Sequence, residues 1–321
     1  MNYKPIIVVA GEPNSIFSEI FCKAKTKHKF KKPIILIASE KVFSQQIKKL
    51  KYKYKINLIN KDLSNFYKID NDKINLIDVD YKFNKVFDKI SNKSNDYIKA
   101  SFDVALNILK ENNCSGFING PISKKNFLNS KYLGITEYLA SKALKHTNVA
   151  MLIYNKKLSV SPLTTHLPLK EVHKHITKKK IINHVKLISK FYIKKFKINP
   201  KIAITGLNPH CESNYKSSEE KKIIKPAINY LIKNKYKVEG PFSADTIFMP
   251  NHSSKFDVIL GMYHDQVLTP IKTIFEFNAI NITLGLPFIR ISPDHGPNIS
   301  MVGKNKSDPT SLIEALKFLD K

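Results

Sequence analysis

Glycine placement is the feature that most constrains what this chain folds into. The chain holds 10 glycines in 321 residues, where about 22 are expected at roughly 7% usage. Where glycine is this scarce, each one retained marks a backbone position that tolerates no Cβ. Most of them stand at the ends of short apolar runs. Residues 6–10 run into Gly11-Glu12-Pro13, and residues 117–119 into Gly120-Pro121. Ile202–Thr205 runs into Gly206-Leu207-Asn208-Pro209-His210, residues 258–260 into Gly261-Met262-Tyr263-His264, and Ile280–Leu284 into Gly285-Leu286-Pro287. Ser159–Pro162 leads, without glycine, to Thr164-Thr165-His166-Leu167-Pro168.

Such short runs, rich in Ile and Val, describe strands of a parallel or mixed sheet covered on both faces. Helical patterns fall between them at 97–111, 169–195, 218–233 and 309–319, the third opened by Glu219 and Glu220. Alternating strands and helices predict an α/β fold. Ligands in such sheets bind beyond the carboxyl ends of the strands, and nearly every polar motif here stands at one. Residues 40–100 are rich in Lys and Asn and say least, with 91–96 reading as a loop. No G-x-G-x-x-G or P-loop pattern occurs, so a nucleotide would not use either cradle.

The formal charge of +28 invites a nucleic-acid partner. The excess is spread along the whole chain as Lys, with no basic stripe and no zinc-finger or basic-helix pattern, so we expect no nucleic acid. Cys22, Cys114 and Cys211 are odd in number and form no C-x-x-C, which argues against a disulfide framework or a zinc knuckle. The apolar start at 5–10 is too short for a signal or a membrane span and reads as a buried strand. We therefore expect a soluble, cytoplasmic protein with no membrane partner.

Arg290 is the one arginine beside 53 lysines. A planar, bidentate donor kept where Lys serves everywhere else points to a carboxylate or phosphate, although a structural ion pair fits as well. Lys272 and Arg290 bracket Asn281, and two cations with an amide suit a small anionic substrate. His166, His210 and His264 stand at three predicted strand ends, a usual way to hold a divalent metal. Their spacing alone leaves open that they are polar loop histidines. Asp245 and Asp265 are candidate ligands or ligand supports. His28, His146, His173, His175, His184 and His252 read as surface residues. Asp294-His295-Gly296, with Gly303 beyond it, reads as a tight loop.

In order and wording, these motifs resemble the PdxA family of 4-hydroxythreonine-4-phosphate dehydrogenases. The residues carrying the resemblance are G-E-P at Gly11, G-P-x-x-K ending at Lys124, T-T-H-L-P-L around His166 and G-L-N-P-H ending at His210. They continue with G-P-x-x-A-D-T around Asp245, Y-H-D-Q around His264, N-I-T-L-G-L-P-F-I-R from Asn281 to Arg290, and D-H-G at Asp294. The resemblance implies a two-domain fold similar to isocitrate and isopropylmalate dehydrogenases, which we place at 1–130 plus 280–321 and at 131–279. It implies a homodimer with shared active sites. It also implies one divalent metal per site (Zn, Mg, Co or Mn) on His166, His210 and His264, some supplied across the dimer. Thr136, Lys272, Asn281 and Arg290 match its substrate-binding residues, and Lys124 and Asp245 are candidates for support or proton transfer. The loop from Asp294 through His295 and Gly296 to Gly303 matches the loop that binds NAD, with NADP as the alternative. The implied activity is NAD- and metal-dependent oxidation and decarboxylation of 4-phosphohydroxy-L-threonine in vitamin B6 synthesis. A paralogue acting on another phosphorylated 3-hydroxy acid, such as a threonate 4-phosphate, is the alternative. Departures stand at Ile135, where the family pattern G-H-T-E has His, after His210, after Gly296, and in the first loop beyond Pro13.

Overall fold

The computed structural model describes the chain except residues 1–2, 64–68, 112, 128–131, 133, 144–147, 212–217, 277 and 294–295. Two compact units divide it: Met1–Ala143 with Pro287–Lys321, and Leu144–Leu286. The division falls later than the sequence placed it at both points, for local reasons. The helix at Ile135–Ala143 sets Ile135, Tyr138 and Leu139 into the first unit's core. The strand at Ile280–Leu284 pairs antiparallel with Ala150–Tyr154 of the second unit.

The first unit carries strands β1 (Ile6–Val9), β2 (Ile34–Ala38), β3 (Ile56–Leu58), β4 (Ile74–Asp78) and β5 (Gly116–Asn119). The second carries β6 (Ala150–Tyr154), β7 (Ser159–Pro162), β8 (Ile202–Thr205), β9 (Val238–Phe242), β10 (Val258–Gly261) and β11 (Ile280–Leu284), and the chain returns to the first with β12 (Arg290–Ser292). Strand order in the first unit is β3-β4-β2-β1-β5-β12, all parallel. In the second it is β11-β6-β7-β10-β8-β9, antiparallel as far as β7 and parallel beyond. The helices are α1 (Phe17–Lys27), α2 (Glu40–Lys49), α3 (Asn95–Lys110), α4 (Lys124–Phe127), α5 (Ile135–Ala143), α6 (Leu169–Val172), α7 (Lys178–Phe196), α8 (Lys225–Lys233), α9 (Pro250–Ser253), α10 (His264–Phe275) and α11 (Thr310–Asp320).

The central strands are covered on both faces, so β1, β2 and β10 are apolar throughout rather than alternating. In the first unit Ile7 and Val9 of β1 pack with Ile98, Phe102 and Ala105 of α3. Leu319 of α11 lies where a Cβ on Gly116 would sit. In the second unit Val160, Ala203 and Ile259 pack with Val267, Leu268 and Ile271 of α10. No helix among the described residues is long and apolar enough to cross a membrane.

The region the sequence read as least informative holds α2, β3 and β4. The expected loop at 91–96 is a short 3-10 turn that enters α3 at Asn95, because the Ser94 hydroxyl donates to Glu12 (2.9 Å) and is buried there. The scarcity of glycine has the expected cause where β1 and β5 end. A Cβ on Gly11 (φ +77°) would sit 2.5 Å from the Pro121 carbonyl oxygen, and one on Gly120 would meet the Ala10 carbonyl. These two loops meet backbone to backbone.

Candidate active site

Strand register brings the histidine motifs to one end of the second unit's sheet. β10 is in register with β7 from Val258↔Ser159 to Gly261↔Pro162, and with β8 from Val258↔Ile202 to Leu260↔Ile204. The segments that follow these strands therefore emerge side by side, carrying His166, His264 and His210. The β7 and β10 segments stay joined past the sheet. Leu163 N donates to Gly261 O (2.8 Å), and Thr164 Oγ1 to Met262 O (2.8 Å).

The result is a histidine pair. The rings of His166 and His264 lie 5.8 Å apart, centroid to centroid. They line a cavity of about 260 Å³ with Thr165, Leu167, Tyr263 and Asp265. Ligand cavities usually run from roughly 300 to 1,000 Å³, so this one suits a small molecule or a part of one. His264 opens α10, and its Nδ1 donates to Asp265 Oδ1 at 2.6 Å. Asp265 is 79% exposed, so the pair adds little stability. Its consequence is the tautomer it favours, which leaves the Nε2 lone pair available to a metal. A half-buried imidazole pair with one ring oriented by carboxylate fits a divalent cation in chemistry. No group of three or more His, Cys, Asp or Glu able to hold a metal ion is assembled among the described residues.

His210 stands on its own loop after β8, exposed, with a left-handed backbone (φ 56°), and Cys211 follows it at φ 55°. Glu220 holds this loop by accepting from Leu207 N (2.8 Å), Asn208 N (2.9 Å) and Asn208 Nδ2 (3.0 Å). Burial raises the Glu220 carboxyl, but these hydrogen bonds outweigh it and hold the group below the usual range. Hydrogen bonds to a charged acceptor contribute roughly 1.5–3 kcal/mol each, enough to offset a strained backbone. Gln266 ties the same loop to α10. Its Nε2 donates to Gly206 O (2.8 Å), and its Oε1 accepts from Thr205 Oγ1 (2.8 Å) and Met262 N (2.7 Å). Asp245 is exposed and accepts from Ser243 Oγ at 2.6 Å. That bond, with the His210 charge adding to it, holds its carboxyl below the usual range. Lys272 lies exposed on the last turn of α10, and Asn281 on β11 has a buried Oδ1 with no hydrogen bond.

Arg290 in the first unit is 2% exposed. Its Nε donates to Asn119 Oδ1 (2.8 Å) and its Nη1 to Thr136 Oγ1 (3.2 Å). Burial pulls the guanidinium down to about 10, and the Glu137 carboxylate works against that shift. Arg290 and Thr136 are thus brought into direct contact. The Lys124 side chain, Asp294 and His295 lie outside the described residues. Gly303 is left-handed at φ +74° against the Phe87 ring, whereas a Cβ on Gly296 would meet nothing within 4 Å.

The reading of His184 as a surface residue is overturned. His184 is a core residue, not a surface one: it is 6% exposed, and its ring bonds Ser161 Oγ at 3.0 Å. The Lys-rich stretch around it is one face of α7, and His184 falls on the other with Ile181, Val185 and Ile188. Sequence reasoning also missed Asn119, Glu220 and Gln266 as supports. Each stands within or beside a motif that was read, but a spacing does not reveal which neighbour a side chain braces.

The sequence profile described as "Pyridoxal phosphate biosynthetic protein PdxA" matches residues 29–319. A 4-hydroxythreonine-4-phosphate dehydrogenase from Sulfurihydrogenibium sp. (strain YO3AOP1) is 39% identical, covering 98% of this chain and 96% of its own. The crystal structure of a 4-hydroxythreonine-4-phosphate dehydrogenase from Klebsiella pneumoniae superposes with a TM-score of 0.86 at 26% identity, over 98% of each chain. An isocitrate dehydrogenase from Methylococcus capsulatus shares the fold, with a TM-score of 0.50 at 11% identity over 96% of this chain and 82% of that one.

Proposed function

The chain belongs to the PdxA family of pyridoxal phosphate biosynthetic proteins, and from that premise we propose that it is an oxidoreductase acting on 4-phosphohydroxy-L-threonine. The reaction oxidises the C3 hydroxyl to a carbonyl, with hydride passing from C3 to NAD and the hydroxyl proton removed. The resulting β-keto acid loses CO2 to give 3-amino-2-oxopropyl phosphate. The observation that carries this reading is the His166–His264 pair beside its cavity, with Asp265 fixing one tautomer.

When bound, a divalent cation supplies Lewis acidity at the reacting hydroxyl. His166, His210 and His264 would hold it, some of them supplied across a homodimer. Asp265 keeps His264 in the metal-binding tautomer. Thr136, Arg290, Lys272 and Asn281 hold the phosphate and carboxylate ends of the substrate. The Asn281 Oδ1, buried without a hydrogen bond, is an acceptor suited to the substrate ammonium group. Asp245, exposed and hydrogen-bonded to Ser243 Oγ, and Lys124 are the proton-transfer candidates. The loop from Asp294 and His295 through Gly296 to Gly303 takes the NAD.

The test is NAD reduction with 4-phosphohydroxy-L-threonine, with added divalent metal and with chelator. Turnover that the chelator removes supports the reading. A folded, metal-loaded protein without turnover overturns it. Ile135 favours one second reading: it is 8% exposed within the apolar core and offers the substrate no hydrogen bond. A panel of phosphorylated 3-hydroxy acids, a threonate 4-phosphate among them, separates the two.

A further inference from the structure

We propose that Gln266 is a positioning residue that locks the His210 loop to the start of the His264 helix and so sets how tightly the protein holds a divalent cation. The inference rests on the metal-dependent reading above. Gln266 lies two residues beyond His264 and touches both histidine-bearing segments. Its Oε1 accepts from Met262 N (2.7 Å), at the end of β10, and from Thr205 Oγ1 (2.8 Å), at the end of β8. Its Nε2 donates to the carbonyl of Gly206 (2.8 Å), the first residue of the loop that carries His210.

The chemistry demands an amide. The site needs an acceptor facing two donors and a donor facing a carbonyl, all on one side chain. Glu satisfies the two donors but sets a carboxylate oxygen against the Gly206 carbonyl. Met fills the space and satisfies none of the three. The loop being held is one that needs holding. His210 and Cys211 both adopt left-handed φ, a conformation that persists only where the surroundings over-determine it. Glu220 pins the loop at Leu207 and Asn208, and Gln266 pins it at Gly206. There is no slack at that point, since a Cβ on Gly206 would sit 2.6 Å from Cys211 Sγ. Without the Gln266 amide, the His210 loop and the first turn of α10 lose their shared anchor.

The experiment titrates metal-stripped protein with Co2+, follows the visible absorption of the bound ion, and measures amide hydrogen exchange across 206–211. Gln266→Met is expected to weaken cobalt binding roughly tenfold, the lower end of what loss of a ligand's supporting partner costs, with faster exchange in the loop. Thr205→Val removes one of the three bonds and is expected to give a smaller loss of the same kind. Ser159→Ala removes the Tyr192–Ser159 hydrogen bond (2.8 Å) in the same unit; it is expected to lower Tm and leave cobalt affinity unchanged. Unchanged affinity in Gln266→Met overturns the inference and leaves the metal reading standing. If that variant does not fold, unchanged affinity in Thr205→Val overturns the inference. An equal loss in Ser159→Ala reduces the effect to general destabilisation and overturns the inference as well. Wild-type protein that binds no cobalt overturns the metal reading and this inference together.

Discussion

The two units treat their candidate cations and bases in opposite ways. In the first, Arg290 is enclosed at 2% exposure, with Asn119 and Thr136 accepting from its guanidinium. In the second, His166 and His264 face a cavity of about 260 Å³, braced from behind by bonds between backbone segments and by Gln266. A permanent cation withdrawn from water needs protein acceptors, because an unpaired buried charge costs several kcal/mol. An imidazole that is to bind a metal must instead keep a lone pair unspent while its other nitrogen is fixed. Whether a polar residue is available for chemistry is therefore decided by what already occupies its polar atoms, not by its type.

The largest effect expected from that contrast is at His264. His264→Ala should remove metal-dependent turnover, a loss on the order of a thousandfold, which corresponds to the several kcal/mol of Lewis-acid stabilisation. NAD reduction with and without chelator reads it, and undiminished chelator-resistant activity breaks the open-site half of the comparison.

Arg290→Lys tests the enclosed half. It keeps the charge but cannot reach Asn119 and Thr136 together. We expect a loss of about 2–3 kcal/mol in denaturant unfolding, the cost of stranding buried acceptors of a charged donor, and a sharply raised KM. Unchanged KM with lowered stability would make Arg290 structural alone.

His184 sharpens the comparison within the second unit, since it is the enclosed histidine there. Burial, with Lys180 nearby, lowers it to about 3 from 6.5. Between these values the unfolded chain binds a proton that the folded chain does not. The stabilising contribution is thus complete above 6.5 and is lost as pH falls from 6.5 toward 3, at about 1.4 kcal/mol per pH unit. His184→Gln should flatten that slope in urea unfolding followed between pH 7 and 5; an unaltered slope shows that other groups govern acid sensitivity.

The smallest effect is at Ile135. Ile135→His should lower KM about fivefold if the new ring reaches the substrate, the worth of one hydrogen bond. No change, or a loss, means that the pocket near α5 is built for an apolar wall.

Much of the fold was legible because its signals are local. Ile202–Thr205, Ile280–Leu284 and Ser159–Pro162 form strands with the bounds their apolar runs gave. Residues 40–100 were illegible because β3 is three residues long and half exposed, and carries little pattern. His184 was misread because Lys-rich neighbours in sequence hide the buried side of an amphipathic helix.

By itself, the sequence determined the family, the alternation of strands and helices, and the residue types the proposed reaction needs, since ordered motifs and apolar periodicity are written along the chain. Only the tertiary structure decided which of those residues meet. It paired His166 with His264 through the register of β7 and β10 and set two of the Arg290 donors on Asn119 and Thr136. It also made Gln266 the link between two histidine-bearing segments. The physical reason is that a side chain's role depends on neighbours brought close by strand pairing at large sequence separation, and no local pattern records those distances.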